Sequence, residues 1–348
     1  MKLTIKEQIH FSKRLSFLLK AGTSLSDSIS LLATQATKKK ALFATILADI
    51  SRGGYLYQTL MKFPTSFSPL AISLTRSGEE SGTLAENFNR LAIELQKKQR
   101  FHQKLISALI YPSFIALATI LLSSFLLFFI FPKIRPLFTN LSIPLPWSTK
   151  LLMNITDISF LTLSIMSGGI FLIILIVKFS YKKSFKVRLI FSKTLIKIPI
   201  IGKIIRQHEL VTYLYTIGIM LQGGAPLDHA SLVGSEVCKN LIYKNASRMI
   251  CITIEQGKEF SEALAYSYYT YLFPKEVSDM LATSETAGTL PETLLYISEM
   301  YELELEETTK NLSSTLEPIL MISMGLIVGF ISLSIITPIY SLTQNIKQ

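Results

Sequence analysis

Two glutamates, Glu79 and Glu285, are the groups best placed to do chemistry, because each lies in a stretch that the chain writes twice. The first copy reads Gly78-Glu79-Glu80-Ser81-Gly82-Thr83-Leu84-Ala85-Glu86, and the second Ser284-Glu285-Thr286-Ala287-Gly288-Thr289-Leu290-Pro291-Glu292. A carboxylate in the last turn of a helix faces the negative end of the helix dipole, which calls for a compensating positive charge. An Arg or Lys reaching across a helical bundle is the first expectation. A partner protein contacting Glu79, Glu80 and Glu285 is the second, and a cation ligated by Glu79 or Glu285 the third. The rest of the motif is structural. Gly82 closes one helix, Thr83 caps the next and Glu86 completes a capping box; Gly288, Thr289 and Glu292 repeat the arrangement.

Catalytic constellations are missing. The chain has no G-x-x-x-x-G-K-[ST] loop to cradle phosphate, no H-E-x-x-H and no G-x-S-x-G. His10, His102, His208 and His229 form no local ligand pair. Cys238 and Cys251 are spaced for neither a redox pair nor a zinc site, and read as packed core residues. The expectation is a protein that is not an enzyme and carries no cofactor.

The elements that position the glutamates follow from the repeat. A constant offset of 206 carries Glu79 onto Glu285, Gly82 onto Gly288 and Glu86 onto Glu292, then Pro112 onto Pro318 and Pro132 onto Pro338. Further upstream an offset of 202 carries Gly22 onto Gly224, so a few residues are inserted between. The matches fall on glycines, prolines and caps, where backbone geometry restricts the choice of residue. Apolar residues recur at helical spacing from Phe11 to Leu19, Gly22 stops that helix, and Leu210 to Met220 followed by Gly223-Gly224 does the same. About six short antiparallel helices are expected in each half. The last helix of each half should run straight on into the membrane, at about 1.5 Å per residue, with Pro112 and Pro318 kinking it near the point of entry.

Composition supports a membrane protein. Hydrophobic residues make up 49% of the 348, yet the formal charge is +11. Three uncharged apolar stretches, 105–131, 158–177 and 318–342, can each supply the roughly 20 residues that cross the hydrocarbon. No signal peptide is visible. Basic residues collect in 1–104 and 178–317, which places both on the cytoplasmic side, with 132–157 and the tail 343–348 outside. The basic run between Lys178 and Arg206 can lie on anionic lipid or simply hold the topology. No nucleic-acid motif accompanies the charge.

Two contrasts between the copies bear on partners. Lys97, Lys98, Arg100 and Lys104 line the last helix of the first half, where the second half has Glu299, Glu302, Glu304, Glu306 and Glu307. Either the two helices, or two copies of the chain, meet here with opposite charge, or both are solvated faces. Glu317 stands at the mouth of the third span where the first copy has Tyr111. An ionisable group at that depth is a functional candidate unless it is solvated among the headgroups.

These residues also resemble a known family. Ile198-Pro199-Ile200-Ile201-Gly202-Lys203-Ile204-Ile205-Arg206, then Gly223-Gly224-Ala225-Pro226-Leu227, the Glu285 motif and Leu316-Glu317-Pro318 are similar to the second half of the type II secretion F family. Leu18 to Leu25, Ser77 to Leu84 and Leu109-Ile110-Tyr111-Pro112 fit its first half. The resemblance implies an all-α membrane protein of the bacterial inner membrane, with two cytoplasmic six-helix bundles and three transmembrane helices. It implies a platform, itself without ATPase activity, that couples a cytoplasmic secretion or pilus ATPase to the polymerisation of pilin or pseudopilin subunits. Other inner-membrane assembly proteins, the lipid bilayer and further copies of the chain are the remaining implied partners, and the first bundle is the usual side of ATPase contact. Longer members carry an N-terminal extension ahead of that bundle, which leaves open the choice among secretion, pilus and competence machines. A small transporter is the alternative, though it would need more spans and more acids within them.

Overall fold

The computed structural model describes residues 2–35, 39–139, 147–156, 179, 184–265 and 270–345. Among these residues every regular element is a helix. The first repeat comprises α1 (Ile5–Lys20), α2 (Leu25–Gln35), α3 (Lys40–Ser51), α4 (Leu56–Met61), α5 (Pro69–Ser81) and α6 (Leu84–Phe125). A π turn over Leu126–Ile130 leads into α7 (Phe131–Thr139), and α8 is Trp147–Thr156. The second repeat follows with α9 (Phe185–Lys197), α10 (Pro199–Gln222), α11 (Leu227–Val237), α12 (Leu241–Glu255), α13 (Phe260–Ala265), a 3-10 turn at Thr270–Leu272, α14 (Lys275–Ala287) and α15 (Leu290–Asn345).

Local chemistry explains the boundaries. Thr4 and Glu7 form a reciprocal capping box at the start of α1, and the Glu7 carboxylate accepts from the Thr4 N–H at 2.6 Å. Ser68 caps α5 ahead of Pro69, whose ring suits the first helical turn, and Pro199 opens α10 in the same way. Among the described residues the glycines with positive φ form three pairs at corresponding places, Gly22 with Gly224, Gly53 with Gly257 and Gly82 with Gly288. A side chain is strained in that left-handed region, so the repeat has kept its glycines where the chain turns.

The chain divides into two compact units, Met1–Lys104 with Arg188–Thr308, and Leu105–Val187 with Thr309–Gln348. The division falls within α6 and α15. Residues 1–104 and the greater part of the second repeat therefore share one unit. Its core is built twice around one ring position. Phe11 meets Phe67 at 5.7 Å between centroids and Phe88 at 5.8 Å. Tyr213, at the position of Phe11 in the second repeat, meets Phe273 at 6.0 Å and Phe260 at 6.2 Å. Such ring pairs add about 0.5–1.5 kcal/mol each beyond the area they bury. Tyr213 is fully buried and keeps its hydroxyl partnered, 3.4 Å from that of Ser231. Both cysteines are buried and free.

Among the described residues two helices, each beginning in the first unit and ending in the second, are long and apolar enough to cross a membrane, over Leu84–Ile134 and Leu290–Thr337, and their most apolar windows are mostly exposed. The predicted span 158–177 lies outside the described residues. The helices run on through Pro112 and Pro318. The expected uninterrupted α-helix up to Pro132 is corrected by the π turn just before it. Phe131 donates its N–H to the Leu126 carbonyl, a one-residue-wider turn. The corresponding Pro338 lies within regular α-helix, so the wider turn is particular to the first repeat. The predicted loop 132–157 contains α8, which packs on α15: Thr149 donates its hydroxyl to the Ser334 carbonyl at 2.8 Å, and the Trp147 and Phe330 rings lie 5.8 Å apart.

Candidate functional site

The two repeated glutamates, Glu79 and Glu285, have their positive partners, and these are not cations. Glu79 takes the N–H of Leu56 on one carboxylate oxygen at 2.6 Å and the N–H of Tyr57 on the other at 2.9 Å. Glu285 takes the N–H groups of Phe260 and Ser261 at the same two distances. Each carboxylate thus sits at the N-terminus of the short helix, α4 or α13, that packs beside its own. The first N–H groups of a helix have no partner within it and carry partial positive charge, so they satisfy the anion. The expected cross-bundle Arg or Lys is corrected accordingly. Both oxygens of each glutamate are committed within the fold, and no group of three His, Cys, Asp or Glu side chains able to hold a metal comes together among the described residues.

The glycines after them behave as their type requires. Gly82 and Gly288 end α5 and α14 in the left-handed conformation. Thr83 opens α6 with its carbonyl accepting from Glu86 and Asn87, while its hydroxyl lies 2.7 Å from that of Ser81. The Thr289 carbonyl accepts from Thr293 in the second copy, and Glu292 lies in the first turn of α15. Glu80 is exposed and paired with Arg76, one turn away on α5. Gly224 turns the chain between α10 and α11, beside Gly223, whose carbonyl accepts the Ser77 hydroxyl of α5 at 2.6 Å.

The charged helices of the two repeats come together in the same unit. Lys97 Nζ lies 2.6 Å from the Glu302 carboxylate and 4.9 Å from the centre of the Tyr215 ring. Lys104 pairs with Glu306 at 2.5 Å, and Lys203 with Glu304 at 3.3 Å. Phe101 lies flat on His208, with centroids 4.6 Å apart and planes 12° from parallel. Lys98 is half-buried in this seam, whereas Arg100 is exposed. The seam encloses a cavity of about 160 Å³ lined by Glu94, Lys98, Phe101, His208, Tyr215 and Lys239, among others.

Electrostatics in the cavity are set by burial. Desolvation pushes the Glu94 carboxyl up to about 7, against the pull of Lys98 and Lys97. Burial, reinforced by Lys239 and Lys98, pushes His208 down to about 4. Lys98 is lowered by burial and by the charge of Lys239. Glu209 is raised by burial, although the N–H groups of Asn240 and Lys239 hold its carboxylate at 3.0 and 2.9 Å. Glu94, His208 and Glu209, which the seam shifts from their ordinary values, were not singled out from the sequence. The available signal was spacing: Glu94, Lys97, Lys98 and Phe101 lie on one face of α6.

In the membrane-type unit, the Tyr111 hydroxyl donates to Glu317 at 3.3 Å. The two residues that the repeat superposes touch each other across the repeat.

Two segments of the chain, residues 11–132 and 213–338, match the family described as Type II secretion system (T2SS), protein F. The chain belongs to that family. The matched segments start at the ring pair Phe11 and Tyr213 and end at Pro132 and Pro338, so the family pattern is the repeat itself. Among similar proteins, the type IV pilus assembly protein TapC of Aeromonas hydrophila is 26% identical over 95% of this chain and 80% of its own length. The type IV pilus assembly protein PilC of Myxococcus xanthus is 26% identical over 98% of the chain and 82% of its own. The type II secretion system protein F of Pseudomonas aeruginosa is 26% identical over 98% and 84%. Members of the family are structural platform proteins and not enzymes, and so is this one.

Proposed function

We propose that this chain is the inner-membrane platform of a type II secretion or type IV pilus-like machine, coupling a cytoplasmic assembly ATPase to the polymerisation of pilin or pseudopilin subunits. The observation that carries the reading is the double family match, in which each soluble repeat leads through its last helix into an apolar helix long enough to cross a bilayer. Three crossings, over 105–131, 158–177 and 318–342, with the N-terminus in the cytoplasm, agree with the distribution of basic residues. The two soluble repeats then form the cytoplasmic part, as one body whose seam is closed by Lys97–Glu302 and Lys104–Glu306. ATPase contact falls to exposed charges of the first repeat such as Glu80 and Arg100, because Glu79 is spent inside the fold.

The test is gentle detergent purification of the tagged chain from its native cell, with mass spectrometry of what accompanies it. Recovery of an assembly ATPase together with pilin-like proteins, the ATPase reduced by Glu80→Lys with Arg100→Glu, supports the platform. Recovery of the chain alone, in conditions that keep other membrane complexes intact, overturns it.

A further inference from the structure

Within the soluble unit the two repeats pack head to tail, and each leaves one face uncovered. In the first repeat α5 covers α10 and α11 of the second, and α6 reaches α10 through Phe101 and Lys97. Down α10 the covered stripe is His208, Thr212, Tyr215, Ile219 and Gly223; His208 is stacked on Phe101, Tyr215 lies under Lys97 and Gly223 holds Ser77. The offset of 202 maps this stripe onto Lys6, His10, Lys13, Phe17 and Ala21 of α1, and all five are exposed. Ile219 is 2% exposed and its counterpart Phe17 72%; Val233 of α11 is 3% exposed and its counterpart Leu31 47%. Equivalent positions in two copies of one fold thus differ in exposure as well as in residue type, and only the second copy has a neighbouring repeat over them.

The opposite face shows the converse. Arg90, Glu94, Lys97 and Phe101 of α6 correspond at an offset of 206 to Tyr296, Met300, Leu303 and Glu307 of α15. Tyr296 is 61%, Met300 40% and Leu303 65% exposed, and Glu292, Glu299 and Glu307 beside them are exposed acids. The α14 residues at the positions of Ser73 and Ser77, Asp279 and Thr283, are exposed as well.

We infer that these two faces dock on each other between copies of this chain, with α14 and α15 of one copy seated on α1 and α2 of the next, as α5 and α6 sit on α10 and α11 within a copy. The chemistry of the two faces agrees. Where the internal contact stacks Phe101 on His208, the contact between copies sets Glu307 against Lys6. Where it sets Lys97 on Tyr215, the other lays Leu303 along the stem of Lys13. Tyr296 reaches the level of Phe17. A basic stripe ending in Phe17 thereby meets a largely apolar stripe that begins at Tyr296, ends in Glu307 and has the exposed acids Glu292 and Glu299 beside it. Such a contact is heterologous, so it adds copies in one sense and does not stop at a symmetric pair. It rests on the repeat geometry and not on which machine the chain serves.

The test uses the full chain with two different tags in one membrane. Cys238 and Cys251 are buried, so Lys6→Cys in one tagged chain and Glu307→Cys in the other report contact by forming a disulfide on mild oxidation. Lys6→Glu faces Glu307 with a like charge and should lower co-purification of the two tags by about tenfold. Glu307→Lys alone should lower it similarly, and the two together in one chain should restore it, which a folding defect would not. The inference is overturned if the charge variants leave co-purification unchanged, if the tagged copies never co-purify, or if Lys6→Cys captures a protein of another mass such as an ATPase.

Discussion

The cavity between the repeats holds two titratable groups pushed in opposite directions, and their separation is measurable. Glu94 goes up from 4.5 to about 7 and His208 down from 6.5 to about 4. For Glu94 the folded value lies above the unfolded one. Its contribution is therefore fully present below about pH 4.5 and is lost as pH rises through 7. For His208 the folded value lies below the unfolded one, so its contribution is present above about pH 6.5 and is lost as pH falls through 4. Over the shared window the two slopes have opposite sign, and the intact protein shows little net dependence from this pair.

Replacing one group exposes the other. Each shift corresponds to a ceiling of about 3 kcal/mol at about 1.4 kcal/mol per pKa unit, and water reaching the half-buried Glu94 through the cavity lowers its share to about 1–3 kcal/mol. Glu94→Gln should equal the parent near pH 4.5 and exceed it increasingly up to pH 7.5, by about 2–4 °C in melting temperature for each kcal/mol. His208→Gln should show its greatest advantage over the parent near pH 4 and lose that advantage above pH 6.5. The assay is thermal unfolding of the full chain in detergent, followed by far-ultraviolet circular dichroism at half-unit steps from pH 4 to 8. The reasoning fails if the difference between Glu94→Gln and the parent is the same at pH 5 and pH 7.5, or if it shrinks as pH rises.

Two further outcomes follow from the seam and the motif. Glu79→Gln and Glu285→Gln each replace a carboxylate that accepts two backbone N–H groups with an amide that can serve one of them. Each should cost about 1–3 kcal/mol in the same melts, and equal stability to the parent would show that the helix N-termini find another acceptor. Lys97→Met with Glu302→Gln, taken as a double-mutant cycle, should give a coupling of about 0.5–1 kcal/mol for this partly exposed pair; zero coupling would mean that the contact holds no energy.

Legibility in the sequence varied with the kind of constraint. Gly22, Gly82, Gly224 and Gly288 could be read because the left-handed conformation excludes most other residues, and all four adopt it. Glu79 was recognisable as a carboxylate in need of compensation, but its compensation is the backbone of α4, 23 residues earlier. A peptide N–H has no residue type, so nothing in the sequence marks it. The opposite charges of Lys97 and Glu302 were legible as a contrast, whereas Glu94 and His208 were not. Their perturbation comes from burial by a neighbouring repeat, which neither residue's local sequence encodes. The π turn at Leu126–Ile130 has no mark in the sequence, since the corresponding stretch before Pro338 is regular α-helix.

The pattern of divergence between the repeats follows from how they pack. Positions that build each repeat from within are retained in kind: Phe11 and Tyr213 hold the ring cluster, Glu79 and Glu285 hold the short helix, and Gly82 and Gly288 make the turn. Positions on the packing faces have changed character, Phe101 against Glu307, Lys97 against Leu303 and His208 against Lys6. Had the repeats packed symmetrically, each face would have met the same surroundings in both copies and pressure for the same residue would have acted twice. Head-to-tail packing gives corresponding faces different neighbours. The inner pair answers to the other half of the same chain, with a stacked Phe101 and His208 and a buried Glu94. The outer pair answers to whatever lies beyond, and its residues are exposed, opposite in charge on α1 and α15, and flanked by aromatic rings. Tyr296, Met300 and Leu303 recur at helical spacing on α15 and are exposed, as Phe17 is on α1, and exposed apolar stripes of this kind mark interaction surfaces. The outer faces thus have the make-up of surfaces that meet a neighbour, which the proposed docking supplies from another copy of the chain.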